Sequence, residues 1–215
     1  MNINKIIVVA TRNKGKTAEI RDLLNDFPIT IKDLNDFGPI PEALEDGDSF
    51  DDNVYQKSSL TARVLGLPAL ADDSGLCVDA LGGAPGIHSA RYAGQNATDA
   101  ENCAKLMAAM KGVQNRNAAF ECVLSLAVPT GAALTYEARC EGIIAEKPMG
   151  ENGFGYDPVF YYPPLEKTFA QLTMAEKSRV SHRGKALREF KSEIDKVLVW
   201  IEQQMPIQEK FECKE

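Results

Sequence analysis

The stretch Leu70–Gly94, LADDSGLCVDALGGAPGIHSARYAG, dominates the interpretation of this sequence. The apolar run Pro68–Ala71 leads into it and predicts a short buried strand. Asp72 and Asp73 follow, and the serine and the glycine-rich segment after them predict an irregular turn. Carboxylates at the carboxyl end of a strand form a place where a hard cation and an anionic ligand meet. An Asp-Asp pair by itself is more often an acidic surface turn, so the rest of the chain decides between these interpretations.

Length and composition predict an ordinary globular protein. The chain has 215 residues, of which 44% are hydrophobic and 26% charged, so residues 1–215 fit a single domain or one domain with two lobes. No apolar run approaches the roughly 20 residues of a membrane-spanning helix, and the N-terminal segment lacks the pattern of a signal peptide. The net charge of −7 argues against a nucleic-acid partner, although a local cluster of lysine and arginine still allows a small polyphosphate.

Cysteine and histidine usage narrows the location and the metal chemistry. The 5 cysteines form no C-x-x-C pair, which favours reduced thiols and a cytoplasmic protein. With only 2 histidines, the sequence excludes a histidine-rich zinc site. Any metal is therefore expected to be Mg²⁺, with Mn²⁺ as a possible substitute, on oxygen ligands.

The N-terminal segment predicts a phosphate-binding layout. Residues 5–10, KIIVVA, predict a buried strand, and an amphipathic helix is expected over Thr17–Asn25. The loop between them ends at a helix N-terminus, which offers unpaired N–H groups to an anion. Gly15–Thr17 match the end of a Walker A motif, but Ala10 occupies the position of its first glycine. A plain polar loop fits this segment as well.

The remaining pattern predicts mainly helices and one long hairpin. The helix Phe50–Leu65 has Ser49 as its cap and Gly66 as its stop, and it carries Asn53 and Lys57 one turn apart. The other expected elements are a strand at Ile29–Ile31, a structural helix capped by Thr98, hairpin strands at Ala119–Val128 and Ala132–Ile144, a short turn from Thr173 to Glu176, and a last helix over Gly184–Gln204. A frayed tail is expected over 205–215.

Two further segments carry groups that suit a planar, carbonyl-bearing ligand. Within Gly150–Tyr162, an aromatic ring at Phe154 or Tyr156 could stack on a ring, and Asp157 could accept hydrogen bonds from ring N–H groups. A loop whose aromatic side chains pack into the core fits this segment equally well. Ser181–Arg183 places cations at a helix N-terminus, where the helix dipole disfavours them unless an anion or carbonyl lies nearby.

Four stretches together resemble the inosine/xanthosine triphosphate pyrophosphatase family: ATRNKGKTAEI, LPALADDSGLCVDALGGAPGIHSARYAG, GFGYDPVF and EKSRVSHRGKAL. They extend from residue 10 to residue 187, so the resemblance covers nearly the whole chain. It implies an α/β fold with a two-lobed mixed sheet flanked by helices, an active-site cleft between the lobes, and a homodimer. It also implies Mg²⁺-dependent hydrolysis of ITP, dITP or XTP to the nucleoside monophosphate and pyrophosphate.

The resemblance assigns roles residue by residue. Asp73 is expected to be the catalytic, metal-binding carboxylate, with Glu45 or Asp72 as a second metal ligand; which of Glu42 and Glu45 serves is open. The expected substrate-binding residues are Thr11, Arg12, Asn13, Lys14, Gly15 and Lys16 in the triphosphate loop, Lys57 and Ser74, Phe154, Gly155, Tyr156 and Asp157 beside the base, and Lys177, His182 and Arg183 on the second wall of the base pocket. One departure is that Asp52 stands where the family has a glutamate.

Two other functions remain open on the sequence alone. A P-loop-type ATPase or kinase would use Gly15–Thr17 with Asp72 as a metal acid and would release orthophosphate or transfer it. A purine nucleotide sensor would bind the same ligands without turnover. Binding alone does not require a carboxylate pair poised for a metal, which favours the hydrolase.

Overall fold

The structure is a computed structural model that describes residues 5–41, 43 and 46–205. Its strands are β1 Lys5–Val9, β2 Ile29–Asp33, β3 Ala69–Val78, β4 Asn117–Ala127, β5 Ala133–Ile144, β6 Phe160–Tyr162 and β7 Lys167–Thr168. Its α-helices are α1 Lys14–Leu23, α2 Phe50–Leu65, α3 Asp99–Ala109, α4 Met174–Val180, α5 His182–Ser192 and α6 Ile194–Gln204. Among the described residues, no helix is long and apolar enough to cross a membrane.

All 7 strands form one mixed sheet in the order β2-β1-β3-β4-β5-β6-β7. Strand β1 is parallel to β2 and β3, and the remaining neighbours are antiparallel. The expected α/β class, with a mixed sheet flanked by helices, is confirmed. The treatment of 1–215 as a single domain stays a prediction, and the expected frayed tail lies, apart from Met205, outside the described residues.

Two hydrophobic clusters lie along the same strands, with a polar gap between them. Leu70 of β3 belongs to the cluster formed with α1, α5 and α6, whereas Leu76 belongs to the cluster formed with α3 and β6. Alternate residues of a strand share one face, so Asp72 and Ser74 lie on this face between the two leucines. The cleft expected between two lobes therefore corresponds to a short polar stretch of β3.

The expectation that β3 ends at Ala71 is wrong. Strand β1 pairs with β3 only at Ala69 and Leu70, but β4 pairs with β3 over ten residues, as far as Val78. Because β4 supplies hydrogen-bond partners throughout, the backbone stays extended through Asp72 and Asp73. The two acids consequently lie inside a strand, on an edge that β1 no longer covers.

Two helix boundaries also differ from the expectation, whereas α2 and the β4–β5 hairpin are confirmed. Helix α1 begins at Lys14, since the side chain of Asn13 accepts hydrogen bonds from the first turn. The single last helix is divided into α5 and α6 at Glu193, whose N–H donates to the carbonyl of Phe190 three residues back. This tighter turn ends α5, and the apolar stripe continues from α5 onto α6.

Gly184 brings α4 and α5 close together at the cleft. A Cβ atom at this position would lie 1.9 Å from the carbonyl oxygen of Ser178, which no side chain can accept. Ser181 caps α5 by accepting the N–H of Gly184 at 3.1 Å. The absence of a side chain thus allows the end of α4 to pack directly on the start of α5, where His182 and Arg183 lie.

Candidate active site

A cavity of about 360 Å³ occupies the polar gap, within the size range of small-molecule sites. Twelve of the predicted site residues line it: Lys16, Lys57, Asp72, Asp73, Ser74, Phe154, Gly155, Tyr156, Asp157, Lys177, His182 and Arg183. Five others do not: Thr11, Arg12, Asn13, Lys14 and Gly15. Sequence motifs that are up to 167 positions apart, from Lys16 to Arg183, therefore meet at one site.

Asp72 pairs with two cations at the centre of the cavity. Its oxygens accept hydrogen bonds from Lys16 Nζ at 3.0 and 2.9 Å and from Arg183 Nη2 at 2.5 Å. Burial alone would raise the pKa of Asp72, but the charges of Arg183 and Lys16 hold it well below its usual range. The role of Asp72 as a metal ligand stays a prediction, and both of its oxygens are already engaged with cations.

Asp73 has a different environment because consecutive strand residues point to opposite faces. It is half-buried, and its Oδ1 accepts the N–H of Ser74 at 3.0 Å. Both carboxylates still line the cavity, since β1 ends beside Leu70 and leaves this edge of β3 uncovered. Lys57 of α2 lines the same cavity. Asp72 thus binds two cations on one face of β3, whereas Asp73 lines the cavity from the opposite face of the strand.

Three buried polar atoms of the cavity have no hydrogen-bond partner among the described residues. They are Ser74 Oγ, His182 Nδ1 and Arg183 Nε. Leaving a buried polar group unpaired costs about 1–3 kcal/mol, so such groups mark a place where a partner is expected. A bound polar ligand would supply that partner.

His182 is held neutral in a flat aromatic stack. Its ring lies 4.7 Å from the Phe120 ring, centroid to centroid, with an interplanar angle of 12°. Burial, followed by the charges of Arg183 and Lys177, lowers the pKa of His182 to about 3. A neutral imidazole offers one N–H donor and one acceptor nitrogen, which suits a neutral heterocycle better than a phosphate.

The loop at 153–157 presents the Phe154 ring to the cavity, whereas its polar side chains bind to other groups of the protein. Phe154 is 62% exposed, and Lys177 Nζ lies 4.4 Å from its ring centroid. The Asp157 carboxylate pairs with Lys177 and accepts the N–H of Phe154 at 3.0 Å, and burial raises its pKa. Tyr156 is buried and donates to the Ser89 carbonyl at 2.8 Å. Asp157 and Tyr156 therefore help to fix the shape of the loop, and the substrate-binding role expected for both stays a prediction.

The segment that resembles a Walker A motif differs from a P-loop in the partners of its amides and its hydroxyl, and the triphosphate-binding role expected for residues 11–16 stays a prediction. Asn13 Oδ1 accepts the N–H groups of Gly15 at 2.9 Å and Lys16 at 3.3 Å, so these amides are capped within the protein. The Thr17 hydroxyl, at the position where a P-loop binds Mg²⁺, donates to Asp33 Oδ2 at 2.8 Å. Lys16 is the one residue of the predicted triphosphate loop that lines the cavity.

Comparison with known proteins shows the family of this chain. The model of the Ham1 family matches residues 7–193. The chain belongs to the Ham1 family. It is 65% identical over 196 residues to the dITP/XTP pyrophosphatase of Syntrophobacter fumaroxidans, covering 91% of this chain and 84% of the relative. The identity to the dITP/XTP pyrophosphatase of Desulfotalea psychrophila is 56% over 200 residues, covering 93% and 90%. The structure of a HAM1 protein from Coxiella burnetii superposes with a TM-score of 0.86 at 42% identity, covering 89% of this chain and 99% of that one.

The resemblance recognised in the motifs is thereby confirmed, but the metal side of this Ham1 family site stays open. Glu42 and Glu45 lie outside the described residues. Within the described part of the chain, no group of three or more His, Cys, Asp or Glu side chains could hold a metal ion. Asp52 and Asn53 are used locally: Asp52 accepts the Ser49 hydroxyl at 2.7 Å, and Asn53 accepts the Gly47 N–H at 2.9 Å.

The residues that line the cavity and that the sequence patterns missed include Asp99, Phe120, Met174 and Ser178. Phe120 belongs to a regular strand, and nothing in the hairpin pattern distinguishes it from its neighbours. Asp99 follows the cap of a helix that was expected to be purely structural. Met174 is 80% exposed beside the cavity, and the sequence gives no signal of this position.

The neutral state of His182 predicts a measurable pH dependence of stability. Between its ordinary pKa of 6.5 and the folded value of about 3, the unfolded chain binds a proton that the folded chain does not. Stability should therefore fall as pH is lowered, by about 2 kcal/mol from this residue between pH 7 and pH 5. His182→Gln should lose this contribution when unfolding free energies in urea are compared at the two pH values.

The matched control is His88→Gln, because His88 is the other histidine and lies exposed at the surface. This control should keep the pH dependence of the wild type. An identical pH dependence in His182→Gln and wild type would contradict the buried, neutral state.

Proposed function

We propose that this Ham1 family protein hydrolyses noncanonical purine nucleoside triphosphates, namely ITP, dITP and XTP, to the monophosphate and pyrophosphate. The observation that carries the proposal is the pair of unpartnered groups, His182 Nδ1 and Arg183 Nε, in a cavity that also contains Lys16, Lys57 and Asp73. One part of the cavity suits a heterocycle and another suits phosphate. The relatives named dITP/XTP pyrophosphatases support the same substrate class.

The base end favours a purine with a 6-oxo group. Arg183 and Lys177 offer donors, and neutral His182 offers one more, so an oxygen at the 6-position finds partners. Adenine carries an amino group there, which is itself a donor and would leave the buried groups unpaired. The exposed Phe154 ring offers a stacking face that is insensitive to base identity. Rejection of guanine, which also has a 6-oxo group, requires a further contact at the 2-position.

The phosphate end supplies charge and a base. Lys16 and Lys57 would neutralise the charge that develops on the leaving pyrophosphate, and Asp73 would accept the proton of the attacking water. A single carboxylate beside phosphate-binding cations fits Mg²⁺, which keeps several waters and binds substrate phosphates; Mn²⁺ would substitute. Asp73 would hold the ion, with Glu45 as the expected second acid. When bound, the ion would polarise the phosphate and acidify a water.

The two alternative functions have less support. The P-loop alternative needs free loop amides and a free Thr17 hydroxyl, but these groups are engaged with Asn13 and Asp33. A sensor without turnover would not need Asp73 beside the phosphate-binding lysines. The homodimer implied by the family and the cytoplasmic location indicated by the cysteines also remain proposals.

Separation of the reaction products tests the function directly. The protein is incubated with ITP, GTP or ATP in Mg²⁺, and nucleotides, orthophosphate and pyrophosphate are quantified. We expect IMP and pyrophosphate from ITP, little turnover of GTP and ATP, and loss of activity with a chelator that Mg²⁺ or Mn²⁺ reverses. Orthophosphate with IDP would indicate the P-loop alternative, and binding of ITP without products would indicate a sensor.

Asp73→Asn is expected to reduce turnover by at least about 100-fold, as is typical when an acid–base group is lost. The substitution keeps the size of the side chain but removes its charge and its proton affinity. Turnover of ITP is measured at saturating substrate, with circular dichroism as a check on folding. Asp79→Asn serves as control, because Asp79 is an exposed carboxylate just after the same strand. Near-normal turnover of Asp73→Asn would remove this residue from the mechanism.

His182→Ala should change base selectivity, and Lys16→Ala should not. Loss of one buried hydrogen-bonding group should lower the ratio of kcat/KM for ITP over ATP by about tenfold. Lys16→Ala should reduce kcat/KM for both nucleotides alike, since it addresses their shared phosphates. Lys16→Ala and Arg183→Ala each also remove a partner of Asp72, so the comparison rests on the ratio between the two nucleotides and not on either value alone. A changed ratio in Lys16→Ala alone would mean that the two ends of the site are reversed.

A further inference from the structure

Helix α3 contacts the base-side loop through two residues that neither the motifs nor the proposed chemistry uses. Asp99 Oδ2 accepts the N–H of Gly155 at 2.6 Å. The thiol of Cys103 donates to the carbonyl oxygen of Gly155 at 3.3 Å. Residues four apart lie on the same face of a helix, so one face of α3 holds both polar groups of a single loop residue.

The helix is a firm anchor for this contact. Asn102, on the same helix, accepts the N–H of Ala93 at 2.7 Å and donates to the carbonyl of Ala90 at 3.1 Å. Leu106, one turn further on, is completely buried in the second hydrophobic cluster. The position of α3 is therefore set by the core and by the segment after β3, independently of the loop.

The loop has a backbone that depends on such an anchor. Gly153 and Gly155 have φ angles of +81° and +60°, a region that glycine enters easily and from which it also leaves easily. Phe154 stands between them and is 62% exposed, so its ring is placed by the backbone rather than by packing. The cation that lies over its ring is Lys177, a flexible side chain.

We propose that Asp99 is a positioning residue that holds the 153–157 loop so that the Phe154 ring is oriented for a purine before the substrate arrives. The inference rests on the proposed function, since it assigns the ring to the base. An ionised carboxylate is a stronger acceptor than a neutral group, which makes Asp99 the main contact and Cys103 the weaker one. Asp99 also takes up the Gly155 N–H, so this amide is not offered to the ligand.

Loss of the anchor should affect substrate binding more than chemistry. A loop that is no longer pre-ordered has to be ordered when the base stacks, and this cost reduces affinity. Asp99 lines the cavity near the base and is not among the groups assigned to the phosphates. Asp99→Ala should consequently raise KM for ITP about tenfold, the effect of one charged hydrogen bond, with kcat nearly unchanged. Inhibition by tripolyphosphate, which has no base, should be the same as in wild type.

Hydrogen exchange of the free protein tests the anchor separately from catalysis. Peptides covering 150–158 should exchange faster in Asp99→Ala than in wild type. Asp99→Asn, which keeps the volume and a weaker acceptor oxygen, should give an intermediate exchange rate and KM. This variant also decides the question if Asp99→Ala does not fold.

Glu101→Ala is the matched control. Glu101 lies in the same first turn, but its carboxylate accepts from Thr98, at 2.7 Å from the N–H and 2.8 Å from the hydroxyl. Because Asn102 and Leu106 hold α3 in place, this substitution should leave loop exchange and KM for ITP unchanged. The proposal is overturned if both Asp99 variants exchange like wild type, or if Glu101→Ala reproduces their effects. If wild type does not hydrolyse ITP, the proposed function fails, and the exchange data still decide whether Asp99 anchors the loop.

Discussion

The buried carboxylate of Asp72, paired with Lys16 and Arg183, is the interaction on which the rest of the structure depends. Together with Ser74 it interrupts the apolar face of β3, and a buried carboxylate without partners would be prohibitively costly. Its two partners come from α1 and α5, which are 56 and 111 positions away in the sequence. A requirement for charge balance at one point of a strand therefore ties both helices to the sheet.

This arrangement also explains why the cavity lies where it does. Closing the gap between the two clusters with hydrophobic side chains would remove these three charges from water, at a large cost in desolvation. The gap stays open and polar, and its walls come from helix termini and loops that the clusters hold in place. The neutral His182 fits this environment, because its burial disfavours a charge and a third positive charge beside Arg183 and Lys177 would add repulsion that Asp72 alone does not offset.

Local signals predicted much of the fold. Ser49 and Gly66 bound α2 correctly because capping is encoded within a few residues, and the hairpin follows from two long β-rich runs. The extent of β3 could not be predicted, since its later half is extended only because β4, some 50 positions on, pairs with it. The division of the last helix at Glu193 has no breaker residue and leaves the apolar stripe unchanged.

For the site, the motifs identified which residues converge but not how each is used. Asp157 and Asn13 have the chemistry of ligand-binding side chains, yet their oxygens are engaged with Lys177, Gly15 and neighbouring amides. These hydrogen bonds depend on the exact conformation of each loop, which a sequence motif does not specify. The role of Asp99 was not predicted, because an acidic residue in the first turn of a capped helix is already explained by the helix itself.

The alternation of Asp72 and Asp73 along β3 makes strand register a determinant of chemistry. A slip of β3 against β4 by one residue would exchange the carboxylate that meets the cations with the one that faces the opposite side. The same slip would move Leu70 and Leu76 out of their clusters, so the hydrophobic cores hold the register in place. Leu70 and Leu76, which do not line the cavity, thus determine which of the two acids meets the cations.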